Sequence, residues 1–543
     1  MNNAVFQFPK PANEPIKSYA PGSPERAELK KALKELQSVE TEIPLIIGGK
    51  EVRTGDTGKV VMPTNNKHVL GTYHKARPQD VQDAIAAAVE AQKAWGEMPW
   101  TERGSIILKI AELISTKYRA LLNAATMLGQ GKNPFQAEID AACETIDFLR
   151  FNAYYMTQIY SEQPSSSIGV INRMEYRPLE GFIFAITPFN FTAIASNLTL
   201  APAIMGNVSV WKPATSSLLS NYILMKIYKE AGLPDGVVNF IPGQGSTIGK
   251  EVFGHREFAG VHFTGSTWTF NYFWKSIVEN LPKYRSYPRI VGETGGKDFV
   301  FAHSTADVKA LSTGLTRGAF EYQGQKCSAA SRAYIPASIW PEVKKNVIED
   351  LSTIKMGCVT DFTNFVNGVI DEAAFDSIAS YIDKAKESDK AEIVAGGGYD
   401  KSVGNFIEPT VILTTDPHFV TMEEEIFGPV LTIYVYEDDK FDETLDICNE
   451  TSPYALTGAI FSQERPMLMR AFEKLRYAAG NFYLNDKPSG AVVDQQPFGG
   501  ARGSGTNDKA GSYLNLVRWT NTRTIKETLV PPTDYRYPFL DEE

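Results

Sequence analysis

Cysteine is scarce in this chain of 543 residues: only Cys143, Cys327, Cys358 and Cys448, none in a C-x-x-C pair. Histidine is scarce too, with six scattered residues. A zinc site or a disulfide framework needs such ligands clustered at short spacing, so no metal site or disulfide framework is expected. A reducing compartment fits this cysteine usage. No apolar run reaches the roughly 18 residues that a membrane helix needs. Met1 to Lys17 has neither the apolar core of a signal peptide nor the arginine content of a transit sequence. The expectation is a cytoplasmic protein, or a matrix protein if a leader has been removed. No arginine-rich run or basic patch is present, and the net charge of −10 is spread over mixed acids and bases. Small-molecule chemistry is expected, with neither nucleic acid nor membrane as partner. Finally, no G-x-G-x-x-G follows any strand-like segment, so the standard dinucleotide fingerprint is missing.

What is present has the length for two or three domains and a large core. Residues 1 to about 40 carry Pro9, Pro11, Pro15, Pro21 and Pro24, then a charged helix over 24–37. Phe6, Phe8 and Tyr19 in this arm argue that it packs on the surface. Ile43 to Ile47 reads as a strand. Helices are expected over 81–95, 101–114 and 136–155. Ser165 to Arg177 alternates polar and apolar residues, as an edge strand or hairpin does. A strand–helix alternation follows, the pattern of an α/β domain. Its strands are expected at 181–187, 208–213, 237–241 and 259–264, and its helices at 193–205 and 220–231. Further strands are expected at 299–302, 331–335, 430–436 and 517–528. Further helices are expected at 306–322, 340–351, 371–387 and 441–448. No linker separates two lobes, so the lobes interleave.

The chemistry concentrates at two glycine-containing turns. Gly324-Gln325-Lys326-Cys327-Ser328 places a thiol after an apolar segment. A lone cysteine is usually an inert buried hydrophobe. Here Gly324 permits an unusual turn, and Lys326 is expected to favour the nucleophilic thiolate. Gly292-Glu293-Thr294-Gly295-Gly296-Lys297 places a lone carboxylate in a second turn. Nucleophile and base on separate loops suit covalent catalysis. Asn190 stands at a strand end where it can donate to an oxyanion, as can the Cys327 N–H. Gly265-Ser266 is placed to seat a pyrophosphate at a helix N-terminus. Lys212 ends the preceding strand pair, and Glu425 is backed by Phe427-Gly428-Pro429. Taken one by one, the alternatives are a turn asparagine, a solvated lysine and a surface acid.

Together these segments resemble the aldehyde dehydrogenase superfamily over nearly the whole chain. Pro188-Phe189-Asn190 resembles its oxyanion segment, Lys212-Pro213 its adenosine-ribose segment and Phe263-Thr264-Gly265-Ser266 its pyrophosphate segment. Glu293-Thr294-Gly295-Gly296-Lys297 resembles the general-base segment, and Gly324-Gln325-Lys326-Cys327 the nucleophile segment. Glu425-Ile426-Phe427-Gly428-Pro429 resembles the segment that holds the nicotinamide ribose. Six motifs in the same order exclude chance. The runs 139–144, 189–193, 265–270, 319–322 and 495–508 narrow the resemblance to single-function members that oxidise L-glutamate γ-semialdehyde.

The resemblance implies an α/β aldehyde dehydrogenase fold in three parts. A Rossmann-like NAD-binding domain with the arm would take 1–164 and 181–292. A catalytic domain would take 293–512, and a small β oligomerisation flap with the tail 165–180 and 513–543. It implies Cys327, Glu293 and Asn190 as catalytic residues. Thr187, Lys212, Gly265, Ser266, Glu425 and Phe427 would hold NAD. Ser328, Gly490 and Ala491 would hold the substrate carboxylate, Phe191 and Phe498 would flank its chain, and Glu144 would face its ammonium. A homodimer or larger homo-oligomer is implied, with proline dehydrogenase as a functional partner in proline catabolism. There are two departures. Phe270 replaces the second glycine that most members carry after Gly265-Ser266. Thr215 stands where NAD-preferring members place an acid, which leaves the choice between NAD and NADP open. The alternative is a hydrolytic enzyme for another semialdehyde, such as succinate semialdehyde. A coenzyme A-acylating enzyme is disfavoured by Glu293, and a non-catalytic homologue by the intact catalytic set.

Overall fold

A run in which every residue is apolar needs cover on both faces, and Phe182–Ile186 receives it. All five of its residues are buried at the centre of a seven-stranded sheet in the computed structural model, which describes residues 6–542. The sheet runs Arg289–Glu293, Phe258–Thr264, Phe182–Ile186, Ser209–Lys212, Val238–Phe240, Leu45–Ile47 and Lys50–Val52. The first five strands are parallel. The last two are antiparallel additions from the N-terminal region. The chain first steps outward from the central strand on one side, then returns to build the other. The switch point therefore lies between Phe182–Ile186 and Phe258–Thr264, and ligands of such sheets bind beyond the carboxyl ends of the strands there. Thr187, Lys212, Gly265 and Ser266 all stand at those ends.

A second seven-stranded sheet runs Ala391–Ala395, Thr410–Thr414, Val430–Tyr436, Ala330–Pro336, Asp298–Ala302, Thr457–Phe461 and Asn481–Leu484. Only the first of these strands is antiparallel to its neighbour. Glu293 ends a strand of one sheet and Asp298 opens a strand of the other, so the short turn between them joins the two halves. A separate two-stranded ribbon pairs Val170–Arg177 with Asn521–Thr528, antiparallel along its whole length.

Several elements differ from the sequence expectation. The helix expected over 136–155 is three pieces: Pro134–Ala137, a π-helical turn over Glu138–Glu144, and Thr145–Ser161. The wider turn is imposed by buried polar partners, which periodicity does not register. The expected strand over 517–528 begins only at Asn521, because Tyr513–Val517 is a short helix. A three-stranded sheet of Thr41–Ile43, Asn65–His74 and Thr57–Met62 was not legible. The helix expected to start after Ser266 runs over Thr267–Asn280, an extent not legible in the sequence; Phe270 and Phe273 are buried, whereas Trp268 is exposed. Asn271, Lys275 and Glu279 mark its exposed face, but Trp268, Tyr272 and Trp274 on the outer side blur the period. The arm packs as expected through Phe8 and Tyr19, while Phe6 lies partly exposed on Trp100.

Candidate active site

The thiol-bearing loop leaves the helix Val308–Phe320 through a turn in which Tyr322, Gln323 and Gly324 all have positive φ, +53°, +54° and +67°. Each non-glycine residue in this region costs about 1–2 kcal/mol, so other bonds must hold it. The Tyr322 hydroxyl donates to the Gln130 carbonyl at 2.9 Å. The Gln323 amide donates to the carbonyls of Gly131 and Gly368 at 2.9 and 3.0 Å. A Cβ on Gly324 would lie 2.1 Å from the Gly428 carbonyl oxygen, so only glycine fits. The Asn190 amide donates to the Gln325 carbonyl at 3.1 Å. One of its two N–H groups is thus taken, and the other remains for an oxyanion. The Cys327 N–H has no acceptor among the described residues.

Lys326 does not act as expected. Its ammonium is bonded to the Glu321 carboxylate at 3.1 Å, and both side chains are buried. The ammonium is thus committed to Glu321, which also pairs with Arg317 at 2.8 Å, rather than to the thiol. Burial instead pushes the Cys327 thiol well above its ordinary value, reinforced by the carboxyl groups of Asp298, Glu293, Glu425 and Glu144. Glu293 lines the same cavity as Cys327, and its carboxyl group acts electrostatically on the thiol. The Glu293 carboxyl is itself pushed well up by burial, despite a bond from the Gly500 N–H at 3.1 Å.

Beneath Asn190 lies an ion pair with no solvent exposure. Lys132 and Asp140 meet at 2.7 Å. Asp140 also accepts the N–H groups of Thr192 and Ala193, at 3.1 and 2.9 Å, and so caps the helix Thr192–Ile204. The ammonium sits 3.9 Å from the ring centre of Phe191 and 4.4 Å from that of Tyr322. One cation thereby locates the Asn190-Phe191 loop against the loop that leads to Cys327.

Cys327 and Glu293 open into a cavity of about 400 Å³, and Glu144, Phe191, Ser328, Gly490, Ala491 and Phe498 all lie on its wall. Burial, with Asp140 and Asp147 nearby, pushes the Glu144 carboxyl up to about 8. Gly490 has φ +93°, and neither its N–H nor that of Ala491 has an acceptor among the described residues. The wall also carries residues that the sequence reading missed: Asn13, Glu14 and Ile16 from the arm, and Asn197, Arg317 and Lys487. Nothing local in the arm signals this, since its partners are hundreds of positions away.

The six residues assigned to NAD lie outside that wall. Thr187 is fixed by the Trp211 indole N–H at 2.9 Å. The half-buried Lys212 ammonium has no partner among the described residues, and burial brings it down to about 8. The Ser266 hydroxyl accepts the Thr269 N–H at 3.2 Å and caps the helix Thr267–Asn280. Gly265 donates its N–H to the Glu293 carbonyl at 3.1 Å. One Glu425 oxygen accepts the Gly296 N–H at 2.8 Å, and the other makes no bond with the described residues. Phe427, at φ +56°, packs edge-on against Phe189. An unpaired cation, a capped helix N-terminus and a half-free carboxylate fit a dinucleotide's hydroxyl and phosphate groups. Thr215 opens the turn before the helix Leu218–Ala231. Phe270 stacks on Phe263, and its ring fills the space beside Gly292, where a Cβ would lie 2.3 Å away.

The profile of the aldehyde dehydrogenase family matches residues 51–525. The chain is 54% identical to "Delta-1-pyrroline-5-carboxylate dehydrogenase, mitochondrial" of Dictyostelium discoideum, covering 99% of this chain and 97% of that one. Its Bos taurus counterpart, also named mitochondrial, is 48% identical, covering 97% and 94%. The solved NAD-bound Delta-pyrroline-5-carboxylate dehydrogenase of Mycobacterium tuberculosis superposes with a TM-score of 0.97 at 47% identity, covering all of both chains. The mitochondrial relatives overturn the expectation of a cytoplasmic protein. The composition of the first residues is a weak guide to compartment, because it carries no structural constraint.

The buried pair yields a stability prediction. Asp140→Ala leaves the Lys132 ammonium uncompensated and is expected to cost about 3–5 kcal/mol. Lys132→Met should cost less, since Asp140 keeps its backbone donors. Urea unfolding of both variants checks the order, and a loss below about 1 kcal/mol for Asp140→Ala would contradict it.

Proposed function

We propose that this chain, a member of the aldehyde dehydrogenase family, oxidises L-glutamate γ-semialdehyde to L-glutamate with NAD as hydride acceptor. The observation that carries the reading is the division of one cavity wall. Cys327 and Glu293 offer a nucleophile and a base. Glu144, the Ser328 hydroxyl and the free N–H groups of Gly490 and Ala491 offer partners for an ammonium and a carboxylate. A carboxylate accepts strong hydrogen bonds from such groups. Succinate semialdehyde has no ammonium to offer Glu144.

In the mechanism, Glu293 takes the proton of the Cys327 thiol as the sulfur attacks the aldehyde carbon, and passes it to solvent before the second step. The oxyanion of the thiohemiacetal accepts from the Asn190 amide and the Cys327 N–H. Bound NAD supplies the acceptor for the hydride that leaves the same carbon. A water molecule then attacks the thioester while Glu293 takes its proton. The thiol is regenerated and glutamate leaves. Lys212, Ser266 and Glu425 are assigned to binding the dinucleotide, with Thr187, Gly265 and Phe427 shaping its bed. Thr215 places no acid against a 2′-phosphate, so some use of NADP is compatible with the site.

The proposed domain division is 1–164 with 181–292, 293–512, and a flap of 165–180 with 513–543; the separate ribbon of Val170–Arg177 and Asn521–Thr528 supports the flap, although Leu516 and Trp519 are buried in the core of the first domain. The flap ribbon exposes Ile168 and Ile171, with Leu529 and Val530 beyond it. Such a surface suits a second copy of this chain. A proline dehydrogenase is the matching upstream activity, since the semialdehyde arises by ring opening of pyrroline-5-carboxylate.

Three outcomes test the reading. Cys327→Ala should abolish NADH formation while leaving NAD affinity, measured by calorimetry, within about twofold. Retained turnover would exclude the covalent route. The rate should also rise with pH. Cys327 and Glu293 both act deprotonated and both have raised pKa values, so activity is lost as pH falls through them. A profile of kcat/KM that is flat from pH 6 to 9 would contradict this assignment. Light scattering at micromolar concentration should give at least the dimer mass, and a monomer would remove the flap from assembly.

A further inference from the structure

From Phe6 to Ser23 the arm forms no helix or strand, yet it reaches the active-site cavity. Asn13 is its point of closest engagement. The Asn13 amide donates to the Asp147 carboxylate at 2.9 Å and to the Val493 carbonyl at 3.0 Å. Its oxygen accepts the Gln495 amide at 2.9 Å. Every polar atom of this one side chain is used, and its partners come from two opposing walls. Asp147 lies one turn beyond Glu144 on the helical wall. Val493 and Gln495 belong to the loop that presents Gly490 and Ala491. Neighbouring bonds hold the same seam: the Glu14 N–H donates to Asp147 at 2.7 Å, and Lys10 pairs with Asp494 at 2.8 Å. Glu14 is in turn anchored by Arg150 at 2.6 Å and by the Ser115 hydroxyl at 3.0 Å. The arm is therefore tied to the body of the protein on one side and to the loop on the other.

We infer that Asn13 is a positioning residue for substrate specificity, which sets the separation between Glu144 and the Gly490-Ala491 turn. The inference rests on the reading that these groups hold the ammonium and carboxylate of the semialdehyde. Those two charges share one carbon, so their partners must stand at a fixed spacing. A loop free to drift from the helix would lose one contact whenever it kept the other. The reacting end of the cavity, by contrast, is held by the Lys132–Asp140 pair and by Gln323, none of which involves the arm. Asn13 thus acts on the amino-acid end and leaves the thiol end untouched.

Initial rates on L-glutamate γ-semialdehyde and on propanal, at saturating NAD, test this with the full chain and its Asn13→Ala and Asn13→Asp variants. Asn13→Ala removes bonds to a carboxylate and a carbonyl, so KM for the semialdehyde should rise roughly tenfold with kcat within about twofold. Propanal, which has neither charge, should keep its kcat/KM within about twofold. Asn13→Asp preserves the size of the side chain but sets a carboxylate against Asp147, and should raise the semialdehyde KM further. It gives the same test if the alanine variant folds poorly. An equal loss on both aldehydes would show a merely structural arm, and an unchanged semialdehyde KM would dismiss the clamp; either overturns the inference. If the unmodified protein itself shows no preference for the semialdehyde over propanal, the assignment of the carboxylate and ammonium sites fails, and the inference with it.

Discussion

A lysine and an aspartate buried without solvent is an expensive arrangement, and here much of the active site hangs on it. Removing both charges from water costs several kcal/mol per ion, which a single contact rarely returns. Lys132 and Asp140 meet that cost collectively. Asp140 takes two backbone N–H groups at a helix start that would otherwise lack partners. Lys132 adds the faces of two aromatic rings. The segments so joined lie far apart in sequence: the end of the helix Arg119–Gln130, the π-helical turn, the Asn190-Phe191 loop and the loop that carries Cys327. The wide π-turn is the local expression of this demand, since it turns Asp140 inward.

The second theme is an excess of carboxyl groups around the thiol. Glu144, Glu293, Asp298 and Glu425 all oppose its ionisation, and Lys326, the nearest cation in sequence, is bonded to Glu321 instead. This arrangement separates storage from use. At rest the thiol is protonated and less prone to oxidation than an exposed thiolate. Nucleophilic character appears only when a base takes the proton in a site shaped around the substrate. The same environment raises Glu293, so a single desolvated region tunes both partners.

The loops that carry the candidate site residues were legible because each motif is local. A glycine, a carboxylate or a thiol at a strand end is recognisable within a few residues. The buried parallel strands were legible for the same reason, as in Phe182–Ile186. What failed was whatever depends on distant partners. The thiolate assignment to Lys326 read adjacency as proximity of charge, when the ammonium was committed to another residue. The arm's place in the substrate cavity was hidden because Asn13 and Val493 lie 480 positions apart. Thr457–Phe461 escaped notice because Gly458 interrupts it; the glycine is there to let the Phe299 ring approach, with a Cβ only 2.1 Å away.

The packing of Phe270 over Gly292 also bears on how this site changes over evolutionary time. The ring occupies the space a side chain at 292 would need, one residue before Glu293. Exchanging Phe270 for the small residue common elsewhere would open a void under the pyrophosphate turn. Enlarging Gly292 first would drive a side chain into the ring. Each single step passes through a defective intermediate, so the two positions form a ratchet that can only be crossed by a paired or compensated change.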